Sequence, residues 1–340
     1  MAERVTGDTK PGAPESERPQ GDPQRWLVLG GGYCGMRLVD RLLDLGHAVV
    51  VTHRASTNRP AIHSSAAPVA PDASSPRSRP RLQVVAFDSG QGIDPDLSAL
   101  GPFTAVLSTI PPGDDGVDPV LDRLGDALRQ EGSPWVGYLS TSGVYGDLQG
   151  GWADETLPPR SLVPRSRRRI DCEAAWRASG LAPLILRLPG IYGPGRSPFS
   201  RLDQGRGRLI HKPGQVFSRI HVDDVVGAVL WCQRHGYRDT VVNVCDALPC
   251  PGSELLGLAA RLLDCPLPPC ERYRDAKATM GPMARSFWLE NRRVSNRRLL
   301  SWGYVLCYPT YREGLVATLA EERGGRFNPT HHRADGLLAG

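Results

Sequence analysis

The sequence predicts an α/β protein: a doubly wound parallel sheet with a smaller C-terminal substrate lobe interleaved with it. Three observations predict this fold. Short apolar runs recur at WLVLG (26–30), AVVVT (48–52), LQVVAF (82–87), TAVLST (104–109), PWVGYLS (134–140) and PLILRL (183–188), each the length of a strand buried on both faces. Segments able to form helices separate several of them, and strands alternating with helices build a parallel sheet. After residue 188 the alternation loosens into Pro- and Gly-rich loops, as a second lobe requires.

Residues 1–24 are polar and rich in Pro and Gly, and a disordered tail is expected there. Order is expected to begin at Arg25. After the first strand and a glycine cluster, Met36, Leu38, Val39, Leu42, Leu43 and Leu45 make the apolar side of a helix that Gly46 closes. Residues 55–80, ASTNRPAIHSSAAPVAPDASSPRSRP, carry no periodicity and read as a disordered insertion between the second and third strands. The sheet domain is thus expected over 25–188. The stretch 189–325 is mainly the substrate lobe, from which about 223–246, a helix near 223–235 and the strand TVVNVC (240–245), returns to the sheet. Helices near 252–264 and 310–322 complete the lobe, and 326–340 is expected to be a flexible tail. No internal repeat is visible.

With 340 residues and 40% hydrophobic content, the chain can bury one large core or two modest ones. Its net charge of +5, from 41 basic and 36 acidic residues, is not the one-sided field of a nucleic-acid binder. A small anionic molecule is the more economical partner. No apolar run approaches the ~18 residues of a membrane-spanning helix, and the N-terminus lacks the apolar core of a signal peptide. The eight cysteines include no C-x-x-C pair and read as reduced thiols of a cytoplasmic protein. Cys245 and Cys250, and Cys265 and Cys270, form two C-x4-C pairs; the first ends an apolar strand and the last two bracket a Pro-rich turn, so no metal site is expected.

Chemistry enters at Gly30-Gly31-Gly32-Tyr33-Cys34-Gly35, which follows the first strand and opens the first helix. In that setting Gly30 makes the tight turn, Gly32 lets backbone approach a pyrophosphate, and Gly35 lets helix and strand pack closely. The phosphates then lie at the helix N-terminus, beside Tyr33 and Cys34. Residues 25–188 therefore read as an NAD(P)-binding Rossmann domain. The second strand ends VVVTHRAS, where an NAD-specific site offers the ribose an acidic residue. His53 and Arg54 stand there instead and favour the 2′-phosphate of NADP, with NAD the alternative cofactor. The alternative is that Arg54 is only a solvated loop residue beside the insertion. Asp88, after the third strand, is placed for the adenine amino group, although Asp is also a common turn residue.

Behind the glycine loop come YLSTSGVYG (138–146), LRLPGIYGPGR (186–196) and SRIHVDD (218–224), in that order. Together they resemble the extended short-chain dehydrogenase/reductases, the family of NAD-dependent sugar-nucleotide epimerases and dehydratases, over about residues 25–322. The resemblance implies that the fifth strand delivers a Ser or Thr to the substrate oxygen; counting back from the Tyr-Gly pair gives Thr141, with Ser142 adjacent. It also implies a Tyr-x-x-x-Lys pair on the next helix, ahead of a Glu. Counting back from Glu173 puts Arg169 at the lysine and Arg165 at the tyrosine, so the chain resembles an atypical member without the usual active-site tyrosine.

A guanidinium stays protonated and cannot be a general acid/base, but it binds phosphates and carboxylates with fixed geometry. Arg169 is therefore expected to hold the cofactor ribose, and Arg165 to grip an anionic substrate group. The resemblance further puts Arg187, Arg196 and Arg219 at the cleft between the lobes, with Arg196 and Arg219 in reach of a substrate diphosphate. Tyr145, Tyr192, His221, Asp223 and Asp224 are expected in structural and capping roles. Two functions fit: an NAD(P)-dependent oxidoreductase or epimerase/dehydratase-like enzyme acting on a phosphorylated or nucleotide-linked small molecule, or a non-catalytic NADP-binding sensor. A homodimer is compatible with both.

Overall fold

Successive side chains of a strand point to opposite faces, so a run that is apolar at every position needs cover on both sides. The computed structural model, which describes residues 23–54, 81–132 and 134–324, supplies it. Seven parallel strands form one sheet: β1 (Arg25–Leu29), β2 (Ala48–His53), β3 (Leu82–Ala86), β4 (Ala105–Ser108), β5 (Trp135–Thr141), β6 (Leu184–Leu188) and β7 (Thr240–Asn243). Their spatial order is β7-β6-β5-β4-β1-β2-β3. Trp26 and Val28 face a core built with α1 (Tyr33–Asp44) and α4 (Val222–Arg234). Leu27 and Leu29 face a second core, built with α2 (Pro119–Gln130) and α3 (Pro164–Ala178). The expected strands are all present, their ends shifted by a residue or two. The 55–80 insertion, the 326–340 tail and the N-terminal tail up to residue 22 lie outside the described residues.

Beyond the sheet, α5 (Gly252–Leu263) and α6 (Tyr311–Glu322) pack with the loops after β6 around a separate cluster that includes Phe199, Leu202, Ala259 and Leu315. Three short parallel ladders stitch this region together: 190–192 with 219–221, 209–211 with 270–272, and 152–153 with 293–294. Ladders of two or three residues carry no periodicity that a sequence could reveal. Among the described residues no helix is long and apolar enough to cross a membrane.

The SRIHVDD segment has the structural role expected of it. The His221 ring accepts the Asp223 N–H at 3.2 Å and thereby caps α4, so its proton sits on Nε2, 3.1 Å from Thr318 Oγ1 of α6. Burial pushes this imidazole down to about 4. Asp224 accepts the N–H groups of Cys307 and Tyr308 and fastens the chain that leads into α6.

Position 187 requires a correction. Arg187 does not face a cleft: on β6 it is only 2% exposed, and a cation that deep needs a partner. Glu173 of α3, equally buried, provides one through bonds of 3.1 Å from Nε and 2.6 Å from Nη2, and accepts Ser140 Oγ of β5 at 2.6 Å. The guanidinium also lies 4.8 Å over the Tyr145 ring. This network latches α3 to two strands at once. Glu173→Ala should cost about 3–5 kcal/mol in urea unfolding, because it strands a buried cation; a loss under about 1 kcal/mol would mean that the latch is not needed.

Candidate dinucleotide-binding site

The strand order runs outward in opposite directions from β1 and β4, leaving a crevice at their C-terminal ends, where parallel α/β sheets bind ligands. From β1 comes the glycine loop. Its three key glycines meet different surroundings. Gly30 has φ of +107°, and a Cβ there would lie 2.5 Å from Thr109 Oγ1. A Cβ on Gly35 would lie 2.0 Å from the Gly30 carbonyl oxygen, so α1 packs on the loop only without a side chain. A Cβ on Gly32 would meet nothing within 4 Å among the described residues. The first two glycines are needed for packing, and the third opens a cradle.

Two threonines hold that loop. Thr52 of β2 accepts Gly30 N–H at 2.9 Å through its hydroxyl and Gly31 N–H at 2.7 Å through its carbonyl. Thr109, just past β4, donates its hydroxyl to the Gly30 carbonyl at 2.9 Å. Neither was legible as a site residue, since threonine is ordinary strand material. Gly32 begins α1 with no side-chain cap and no acidic residue in the first turn. The helix therefore presents N–H groups and a positive dipole end to an anion.

His53 and Arg54 end β2, with His53 Nδ1–H donating to the Arg54 carbonyl at 2.8 Å and Arg54 exposed. Asp88 lies just beyond β3, the next strand over, and its backbone pairs with Ile93 in a turn, while its carboxylate caps nothing. Burial pushes the Cys34 thiol up to about 11, against the pull of Arg196, so it is no thiolate.

At the end of β5, Thr141 Oγ1 accepts Gly143 N–H at 3.0 Å and starts a short 3-10 turn, Ser142–Tyr145. The hydroxyl proton of Thr141 is left for another acceptor. Ser142 is buried beside it. Ser166 and Ile170 of α3 pack on this turn: a Cβ on Gly143 would lie 2.8 Å from Ser166 Oγ and 3.2 Å from Thr141 Oγ1. Surrounded by arginines in the sequence, Ser166 gave no signal.

The four arginines between 165 and 169 go separate ways. Arg167 pairs with Asp171 at 3.7 Å on the exposed face, and Arg168 donates to the Asp114 carbonyl at 2.8 Å in the loop after β4. Arg169 was expected at the cofactor ribose, but its Nη1 is committed to Tyr138 Oη at 2.7 Å and to the Leu139 carbonyl at 3.0 Å. It fastens α3 to β5. Arg165 has neither ion pair nor hydrogen bond among the described residues; its guanidinium lies 4.1 Å over the ring of exposed Phe287. Burial lowers its pKa, Glu290 opposes the shift and Arg292 adds to it, and a guanidinium so perturbed still stays protonated.

The remaining two expected substrate residues also separate. Arg219 is buried rather than open to a cleft, its Nη1 donating to the Phe217 carbonyl at 3.0 Å and the Cys250 carbonyl at 3.2 Å. Arg196 is exposed and lies 5.6 Å over the ring of Tyr33, at the start of α1.

Glycine cradle, crevice and sheet order define a Rossmann-type α/β protein. Residues 120–245 match the model of the NAD dependent epimerase/dehydratase family. The chain is 37% identical to a functionally unknown conserved protein from Silicibacter pomeroyi DSS, with a TM-score of 0.75 over 88% of this chain and 99% of that one. It is 31% identical over 157 residues to Protein YeeZ of Escherichia coli K12, which is 44% of this chain and 56% of YeeZ. The matched stretch thus spans about half the length of the curated relatives. A dTDP-glucose 4,6-dehydratase from Bacillus anthracis, solved in complex with NAD, shares the fold at 18% identity and a TM-score of 0.70, over 88% of this chain and 97% of that one. The chain belongs to the NAD-dependent epimerase/dehydratase family, that is, to the extended short-chain dehydrogenase/reductases.

The unequal surroundings of the glycines have a measurable consequence. Gly35→Ala should lower stability by about 1–3 kcal/mol, because helix and loop must move apart. Gly32→Ala, at φ of −82° with open space around it, should stay within about 0.5 kcal/mol of the native chain. Equal unfolding midpoints for the two variants would contradict this division of roles.

Proposed function

We propose that the chain is a nicotinamide-dinucleotide-dependent oxidoreductase or epimerase/dehydratase-like enzyme that acts on a small anionic molecule, phosphorylated or nucleotide-linked. NADP is the cofactor favoured, with NAD the alternative. The observation that carries this reading is the open space at Gly32 before an uncapped twelve-residue helix, at the crevice where the sheet order reverses. The residues there fit a dinucleotide: Gly30, Gly32 and Gly35 shape the cradle, and the N–H groups of Tyr33 and Cys34 face its opening as pyrophosphate donors. Arg54 takes the 2′-phosphate, with His53 at the same strand end, and Asp88 takes the adenine amino group.

When bound, the nicotinamide ring supplies hydride transfer. This chain's residues position the substrate. Thr141, whose hydroxyl accepts from Gly143 and keeps its proton free, donates to the substrate oxygen, and Ser142 shapes the floor beside it. Arg165, unpaired and half-buried against Phe287, binds the anionic group as a fixed cation. It moves no proton. Arg169 fixes the strand on which Thr141 stands, and the buried Tyr138 it bonds has its pKa pushed far up by burial.

That last point favours a second reading, a dinucleotide-binding sensor without turnover. Residues 165–169 offer arginines and a serine where the family places an acid/base, and none of these exchanges a proton near neutral pH. The two readings diverge in one test. Calorimetric titration should show NADPH binding more tightly than NADH, with Arg54→Ala erasing about a tenfold preference. Consumption of NADPH with any sugar-nucleotide or phosphorylated carbonyl compound, lost in Thr141→Val, supports the enzyme; binding without consumption across such a panel supports the sensor. Failure to bind either nucleotide overturns both.

A further inference from the structure

Arg196 was expected at a substrate diphosphate, yet it stands over the first turn of α1. The loop that carries it is held on both sides. Tyr33 Oη donates to the Pro194 carbonyl at 3.1 Å, and the Gly195 N–H and Ser197 hydroxyl donate to the Glu322 carboxylate at 2.8 and 2.9 Å. The Arg196 N–H itself closes a turn onto the Gly193 carbonyl at 2.9 Å. Gly193, with φ of +148°, sits so close to Tyr33 that a Cβ there would lie 2.7 Å from the phenol oxygen. The backbone around Arg196 is thus anchored to α1 at one end and to the last turn of α6 at the other.

Its guanidinium, by contrast, makes no hydrogen bond or ion pair among the described residues. It rests over the Tyr33 ring, and its charge reaches Tyr33 and Cys34, the two residues that follow Gly32. An anchored backbone, a fork of unused donors and an uncapped helix start beside an open cradle all favour one kind of ligand atom, a phosphate oxygen. We infer that Arg196 is a cofactor residue: its guanidinium clamps the dinucleotide pyrophosphate over Gly32, so that the loop after β6 and the end of α6 complete the cofactor site. This rests on the dinucleotide reading above. The clamp couples cofactor binding to the docking of residues 193–197 on Glu322.

The test compares the full chain with Arg196→Ala, Arg196→Lys and Arg196→Met, the last keeping an apolar stem over Tyr33 without charge. The probes are NADPH, NADH and ADP-ribose, which retains the pyrophosphate and lacks the nicotinamide. Arg196→Ala and Arg196→Met should each weaken the tighter nucleotide about tenfold, and ADP-ribose by the same factor, while Arg196→Lys recovers part of the loss. The Met variant carries the comparison if Arg196→Ala lowers the melting temperature. Unchanged affinity in both uncharged variants overturns the clamp, as does a loss that spares ADP-ribose: shared by NADPH and NADH it would move Arg196 to the nicotinamide or substrate side, and confined to NADPH it would move it to the 2′-phosphate. A native chain that binds none of the three probes overturns the dinucleotide reading itself, and the clamp with it.

Discussion

The contact between Gly35 and the Gly30 carbonyl governs the rest of the site. A Cβ at 35 would lie 2.0 Å from that oxygen, so the missing side chain sets how near α1 approaches the end of β1. With the helix this close, its first turn opens into the crevice where β1 and β4 part. Thr52 and Thr109 then fix the loop from the strands on either side, through its N–H groups and its carbonyl respectively. The backbone polar groups of the turn are satisfied by the protein, and the donors of the helix start are left pointing outward. Space at Gly32 follows from this arrangement: neighbouring side chains are used to hold the turn, and none of the described residues fills the cradle.

A second constraint acts on the other side of the sheet. The buried Glu173–Arg187 pair locks the rotation of α3 against β5 and β6. With that rotation fixed, Ser166 meets Gly143, Arg169 turns onto Tyr138, and Arg167 and Arg168 find acidic or carbonyl partners outside. A cluster that looks in sequence like a strongly basic patch is therefore mostly neutralised or spent on structure. Among the described residues Arg165 makes neither hydrogen bond nor ion pair, and its guanidinium lies over the Phe287 ring.

The sheet was legible because its strands are apolar at every position and its helices are periodic, signals that local sequence carries in full. The glycine loop was legible because a strand before it and a helix after it leave few alternatives for three glycines at that spacing. What escaped depends on approaches between distant parts of the chain. Thr52, Thr109 and Ser166 matter for what they touch, not for their type. Tyr33 and Pro194 are 161 residues apart in sequence, so nothing local marks Arg196 as a neighbour of α1. The protein partners of Arg169, Arg187 and Arg219 were not legible for the same reason: counting along a motif gives a position on an element but not the depth of a side chain. Each of the three finds protein partners that the motif does not encode.

A crystal structure of the chain grown with NADPH decides whether the space over Gly32 is a pyrophosphate site. Phosphate oxygens are expected about 3 Å from the backbone nitrogens of the first turn of α1, with the adenosine running toward the ends of β2 and β3 and the nicotinamide toward Thr141. A dinucleotide seated elsewhere, or a glycine loop that stays empty at saturating NADPH and at saturating NADH, would contradict that assignment.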